Sequence, residues 1–157
     1  LAGCGGTGKA RDTLNRGIEL YNQAVGDEAL QNLDERIRET IQAGEQLDSR
    51  MVVEYRELSG EYEKALSRAK DQFKKVEEIP GVEDYKEYGR LMISSIEAAV
   101  KATRKRAELF EYIARDPDVG PQEFDETIKR LTEEINDFDK KRKDDMDRAN
   151  RIKDKLN

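Results

Sequence analysis

The residues closest to a recognisable chemical pattern are Gly3-Cys4-Gly5-Gly6-Thr7-Gly8-Lys9-Ala10. They nearly satisfy G-x-x-x-x-G-K-[ST], in which glycine amides cradle phosphates, a lysine answers their charge and a hydroxyl holds magnesium. Ala10 supplies no hydroxyl, only Leu1 and Ala2 stand before the first glycine, and no β-branched run ending in aspartate follows. Such a loop needs a parallel sheet to hold its shape, so no nucleotide is expected here. The rest of the inventory is equally restrictive. The sequence contains 0 histidines, which removes imidazole-based triads, carboxylate–histidine metal sites in bundles and His-containing zinc centres. Cys4 is the single cysteine and has no intramolecular partner. Acidic pairs such as Asp144-Asp145 lie in charged helical stretches, not in an alternating Asp/Asn loop with a central glycine and a closing glutamate. The sequence therefore assigns no catalytic residue, no metal ligand and no cofactor, and the chain reads as non-enzymatic.

The same first residues carry a second pattern. Leu1-Ala2-Gly3-Cys4 resembles the lipobox of bacterial lipoproteins, where a small-residue motif precedes a cysteine that is lipidated and becomes the new N-terminus. The resemblance implies that Leu1 to Gly3 end a removed signal and that Cys4 is the lipidation site. It also implies a location in the bacterial cell envelope, lipid-anchored and facing the periplasm or the cell exterior. Gly5, the second mature residue, is not the aspartate that favours inner-membrane retention in enteric-type bacteria, so an outer-membrane destination is permitted. Gly5-Gly6-Thr7-Gly8 reads as a flexible spacer. Residues 1–8 are accordingly expected to be lipobox remnant and tether, and residues 9–157 a single helical-bundle domain.

The tyrosines are the other candidates for chemistry. Tyr55 and Tyr62 stand one heptad apart, and Tyr85 and Tyr88 open the following helix. If the two pairs meet near one end of a bundle, they line a small-molecule pocket, with Ser94-Ser95 nearby. The same spacing also suits rings that pack a seam while their hydroxyls reach water.

The elements that must position these groups are helices. Charged residues make up 41% of the chain and hydrophobic ones 36%, a balance that leans toward disorder unless the apolar residues are regularly placed. They are. Phe124, Ile128, Leu131, Ile135 and Phe138 follow alternating steps of four and three, continued by Arg142, Asp145, Ala149, Ile152 and Leu156. The apolar seam lapses at Arg142 and Asp145, which reads as a register-setting or end-of-bundle feature. Acid-to-base pairs four apart (Asp137-Lys141, Asp139-Lys143, Asp144-Arg148, Asp147-Arg151) decorate this helix. A second stripe runs through Val82, Tyr85, Tyr88, Met92, Ile96, Ala99, Thr103, Phe110 and Ile113, and a third from Met51 to Ile79. The first series, Leu14 to Ile41, is interrupted at Gly26-Asp27.

Breaks are expected at Ile79-Pro80-Gly81 and at Asp116-Pro117-Asp118-Val119-Gly120-Pro121. A turn at Ala43-Gly44-Glu45 then leaves four helices of roughly 35 residues, each near 50 Å. The expected fold is all-α, an elongated antiparallel bundle of four helices. The alternative is a three-helix coiled coil with one long helix, because Gly44 inside a helix costs only about 1 kcal/mol.

Net charge is −6 with both signs interspersed, which argues against nucleic acid. Three functions fit. The leading one is a membrane-tethered, non-enzymatic envelope lipoprotein whose coiled-coil-like bundle is a spacer, scaffold or protein-binding surface. Its partners are the membrane, through a lipid on Cys4, and other envelope proteins. A four-helix ligand-sensing bundle with Tyr55, Tyr62, Tyr85 and Tyr88 as its pocket is the second. A soluble coiled-coil interaction protein is the third, should Cys4 carry no lipid.

Overall fold

A computed structural model describes residues 4–115 and 118–156. Leu1 to Gly3 of the lipobox-like motif, and Asp116 and Pro117 of the second break, lie outside the described residues. The described residues form helices α1 (Cys4–Val25), α2 (Ala29–Gln42), α3 (Ser49–Val76), α4 (Glu83–Arg115) and α5 (Pro121–Leu156), with no strand among them. The chain is an all-α, four-armed bundle, its first arm broken between α1 and α2. The break falls at the predicted interruption: Gly26 still donates to the Asn22 carbonyl at 2.9 Å, and Asp27 Oδ1 accepts from the Ala29 amide at 3.0 Å.

Gly44 decides between the two architectures. It adopts φ +70°, a left-handed conformation that ends α2 and turns the chain. Asp48 then caps α3, its carboxylate accepting from the Arg50 amide at 2.8 Å. The next turn, at Ile79-Pro80-Gly81, uses Gly81 at φ +73° in the same way. α5 opens on Pro121, whose missing amide costs nothing in the first turn.

Short connections make successive arms antiparallel, so the end of α3 lies beside the start of α4. α4 packs most broadly on α5, α1 on α3, and α3 on α4. The interior is two apolar clusters, not one. The larger joins α1, the second half of α3, the first half of α4 and the end of α5 around Phe73, Val76, Met92 and Ile96. The smaller joins α2, the start of α3 and the end of α4 around Ile37, Tyr55 and Phe110, with Leu47 of the turn sealing its end. The α5 seam is seated as its spacing requires: Leu131, Ile135, Asp145 and Ala149 are buried.

Two expectations need correction. Gly5 to Gly8 are not a flexible spacer, because α1 already includes them. Ala10 and Leu14 are buried and fix the following turns, and a helix extends from a fixed turn at one hydrogen bond per residue. Gly6 also sits close against the α3–α4 turn, where an added Cβ would lie 3.5 Å from the Pro80 carbonyl oxygen. The predicted pairs along α5 do not close either. Lys141 reaches Asp145 at 3.0 Å and Arg148 approaches it at 3.8 Å, while Asp139 bonds to Arg106 of α4. A carboxylate in the interior attracts these cations more strongly than an exposed one does.

Candidate functional site

Arg142 and Asp145 do not mark an end of the bundle. Asp145 meets Ser94 at the level of the larger cluster, and Arg142, one turn earlier on α5, lines a cavity with Tyr55, Tyr62 and Thr103. Asp145 is 5% exposed. Its Oδ2 accepts from Ser94 Oγ at 2.7 Å and from Lys141 Nζ at 3.0 Å. Burial raises its pKa, but these hydrogen bonds and the charges of Lys141 and Arg148 outweigh that and hold the carboxyl below its ordinary range. Ser95, fully buried, donates to the Arg142 carbonyl at 3.1 Å. A seam position occupied by serine is thus satisfied by the facing helix.

A second polar group lies one layer nearer α2. Arg106 of α4 donates to Asp139 of α5, and its Nε stands 4.0 Å from Asp34 Oδ1 of α2. Asp34 Oδ2 accepts from Arg38 Nε at 2.5 Å. The Arg142 guanidinium stands close enough to the Tyr21 hydroxyl to draw its pKa down against the effect of burial, so α1 and α5 approach each other through side chains here. These groups surround a cavity of about 240 Å³, whose lining includes Leu30, Asp34, Tyr55, Tyr62, Thr103, Arg106, Asp139 and Arg142. Two of its atoms, Asp34 Oδ1 and Arg142 Nε, are buried without a hydrogen-bond partner.

The expected tyrosine cluster does not assemble. Tyr55 and Tyr62 line the cavity. Tyr85 and Tyr88 belong to the other end, where Tyr88 meets Phe73 edge-on with ring centroids 6.2 Å apart. Tyr55 instead meets Phe110 edge-on at 4.9 Å. The cause is antiparallel register: the start of α4 faces the end of α3, where Phe73 lies, and not its beginning, where Tyr55 lies. Burial pushes the Tyr88 hydroxyl up to about 12. It also raises Tyr21, Tyr62 and Tyr55, the last further opposed in its ionisation by the neighbouring Asp34.

Arg106, Asp34 and Asp139 are the site residues that sequence reasoning missed. A signal existed for Arg106. The α4 stripe steps from Thr103 to Phe110, and the seam position between them is Arg106. A cation on the seam of α4 faces the same lapse that Arg142 makes on α5. Asp34, next to Leu33 in a helix rich in charge, gives no such sign. The arrangement offers fixed charges, hydroxyls and aromatic faces, which suit recognition. Among the described residues, no group of three or more His, Cys, Asp or Glu converges to hold a metal ion, and no helix is long and apolar enough to cross a membrane. Compared with protein families, characterised proteins and solved structures, the chain has no match.

Proposed function

We propose that this chain is a membrane-tethered, non-enzymatic lipoprotein of a bacterial cell envelope, whose bundle is a scaffold that binds other envelope proteins. The observation that supports this reading is the placement of Cys4, which follows Leu1-Ala2-Gly3 and begins α1. Each methylene of an acyl chain buried in a bilayer contributes about 0.8 kcal/mol, so two or three chains on one cysteine hold a protein durably. With α1 starting at Cys4, a lipid there holds the bundle by the end that carries the α3–α4 turn. The 33 residues of α4 then carry the opposite end up to about 50 Å from that surface. Long faces studded with both signs of charge, such as Arg104 on Glu63 and Arg56 on Glu111, suit recognition by charge complementarity.

The test is membrane partition and intact mass of the protein made in a bacterial host that processes lipoproteins, beside Cys4→Ser. Acyl mass and membrane association in the wild type, both lost in the variant, are expected. Two soluble, unmodified products would overturn the reading and leave a soluble coiled-coil interaction protein.

A further inference from the structure

The cavity between the apolar clusters is where the interior is neither packed nor satisfied. Its volume of about 240 Å³ lies below the ~300–1,000 Å³ of drug-sized sites. A small occupant suits it.

The charges around it divide into those already answered and those that are not. Arg106 and Asp139 bond each other, and Arg38 holds one oxygen of Asp34. What remains without a hydrogen-bond partner is Arg142 Nε, a donor on a permanent cation, and Asp34 Oδ1, an acceptor whose nearest cation, Arg106 Nε, stands 4.0 Å away; Asp27 adds a further carboxylate to the lining. A simple anion at Arg142 would leave Asp34 unanswered and add repulsion from Asp34 and Asp139. A simple cation at Asp34 would meet Arg106 and Arg142. A molecule with an anionic acceptor at one end and a cationic donor at the other satisfies both orphaned atoms. Leu30, Ala99 and the rings of Tyr55 and Tyr62 add apolar surface to the same lining.

We infer that this cavity binds a small zwitterion, an amino acid or amino-acid-like molecule, with its carboxylate on Arg142 and its ammonium on Asp34. The inference stands on the geometry of the polar layer and is independent of whether Cys4 is lipidated.

Calorimetric titration of the purified full chain with each of the twenty L-amino acids is the test, followed by the N-acetyl and amide forms of the best binder. At least one amino acid should bind saturably. Blocking either end should weaken it by roughly tenfold to a hundredfold, the value of one charge-assisted hydrogen bond. Arg142→Gln should abolish discrimination against the amide, and Asp34→Asn should abolish discrimination against the N-acetyl form. Absence of saturable binding by any of the twenty would overturn the proposal. So would equal affinity for free and blocked forms, a comparison made on the unaltered protein and therefore free of any folding defect in the variants.

Discussion

Phe73 is the keystone of the larger apolar cluster, and Gly17 tests whether α1 is seated on it as described. A Cβ added at Gly17 would stand 2.7, 2.9 and 3.0 Å from Cε1, Cδ1 and Cζ of the Phe73 ring. Ordinary carbon contacts are about 3.5–4.0 Å, so Gly17→Ala forces a movement of several tenths of an ångström or more. The ring has little room to give. Phe73 is 0% exposed and packs edge-on against Tyr88. On its far side, Gly89 brings α4 close to the Phe73 backbone: a Cβ there would lie 3.3 Å from the Phe73 carbonyl oxygen. Overpacking of this kind costs about 1–3 kcal/mol, against a gain of about 1 kcal/mol for alanine over glycine in a helix.

Gly60 of α3 supplies the control, because nothing lies within 4 Å of its added Cβ. Gly60→Ala should therefore collect the propensity gain undiminished and stabilise by about 0.5–1 kcal/mol. Gly17→Ala should fall below it by the overpacking cost, about 1–3 kcal/mol. For a chain of this size 1 kcal/mol shifts the melting temperature by about 2–4 °C, so the two variants should separate by roughly 2–12 °C in thermal melts. Phe73→Leu should reduce the Gly17→Ala penalty in a double-mutant cycle, since the colliding ring is then gone. If Gly17→Ala raises the melting temperature as much as Gly60→Ala does, α1 is not packed on Phe73 and the larger cluster is wrongly assembled.

Other perturbations probe the seam and the buried ionisable groups. Ile135, 5% exposed on the α5 seam, becomes an unpaired buried charge in Ile135→Asp, which should cost about 3 kcal/mol or more; unchanged helicity and melting by circular dichroism would refute the heptad placement. Asp145 titrates below its ordinary range in the folded state, so its contribution is present above the ordinary carboxylate pKa and is lost as pH falls through the folded value. Urea unfolding followed through the acid range should accordingly show a shallower acid loss of stability in Asp145→Asn than in the wild type. Tyr21, Tyr55, Tyr62 and Tyr88 are all raised, so their contribution is complete below the ordinary tyrosine pKa and disappears as pH climbs through the folded values. Tyrosinate absorbance should rise for these four only as helicity is lost, and a smooth titration with the bundle intact would contradict their burial.

Periodicity carried the fold because burial in a bundle is written locally. The four-three steps from Phe124 to Leu156 state which face of α5 turns inward without reference to any other helix. Gly44 and Gly81 state where the chain can turn, since a left-handed residue at no steric cost is what a reversal needs. The site was less legible because it depends on register between helices. Tyr55 and Tyr88 look equivalent along the sequence, yet antiparallel packing sends them to different clusters. Asp34, Arg106 and Asp139 resemble the many solvated charges around them, and only their convergence from α2, α4 and α5 sets them apart. Gly5 to Gly8 misled for the opposite reason: glycine propensity is local, whereas the helix there is held by Ala10, Leu14 and the Pro80 turn.

The polar layer is costly in a way that a register device need not be. A bundle can fix its register with a single satisfied polar contact, and Ser95 on the Arg142 carbonyl already provides one. Ion pairs taken from water return little net stability, and apolar residues of similar volume often do better. Here the layer goes further, leaving Asp34 Oδ1 and Arg142 Nε buried without a hydrogen-bond partner beside the cavity. The backbone is interrupted at the same level, between Val25 and Ala29, so that α2 rests on the smaller cluster through Leu33 and Ile37. Side-chain and backbone discontinuities thus coincide on one cavity. A buried donor and a buried acceptor without hydrogen-bond partners cost free energy, and a molecule complementary to both would return that cost as affinity.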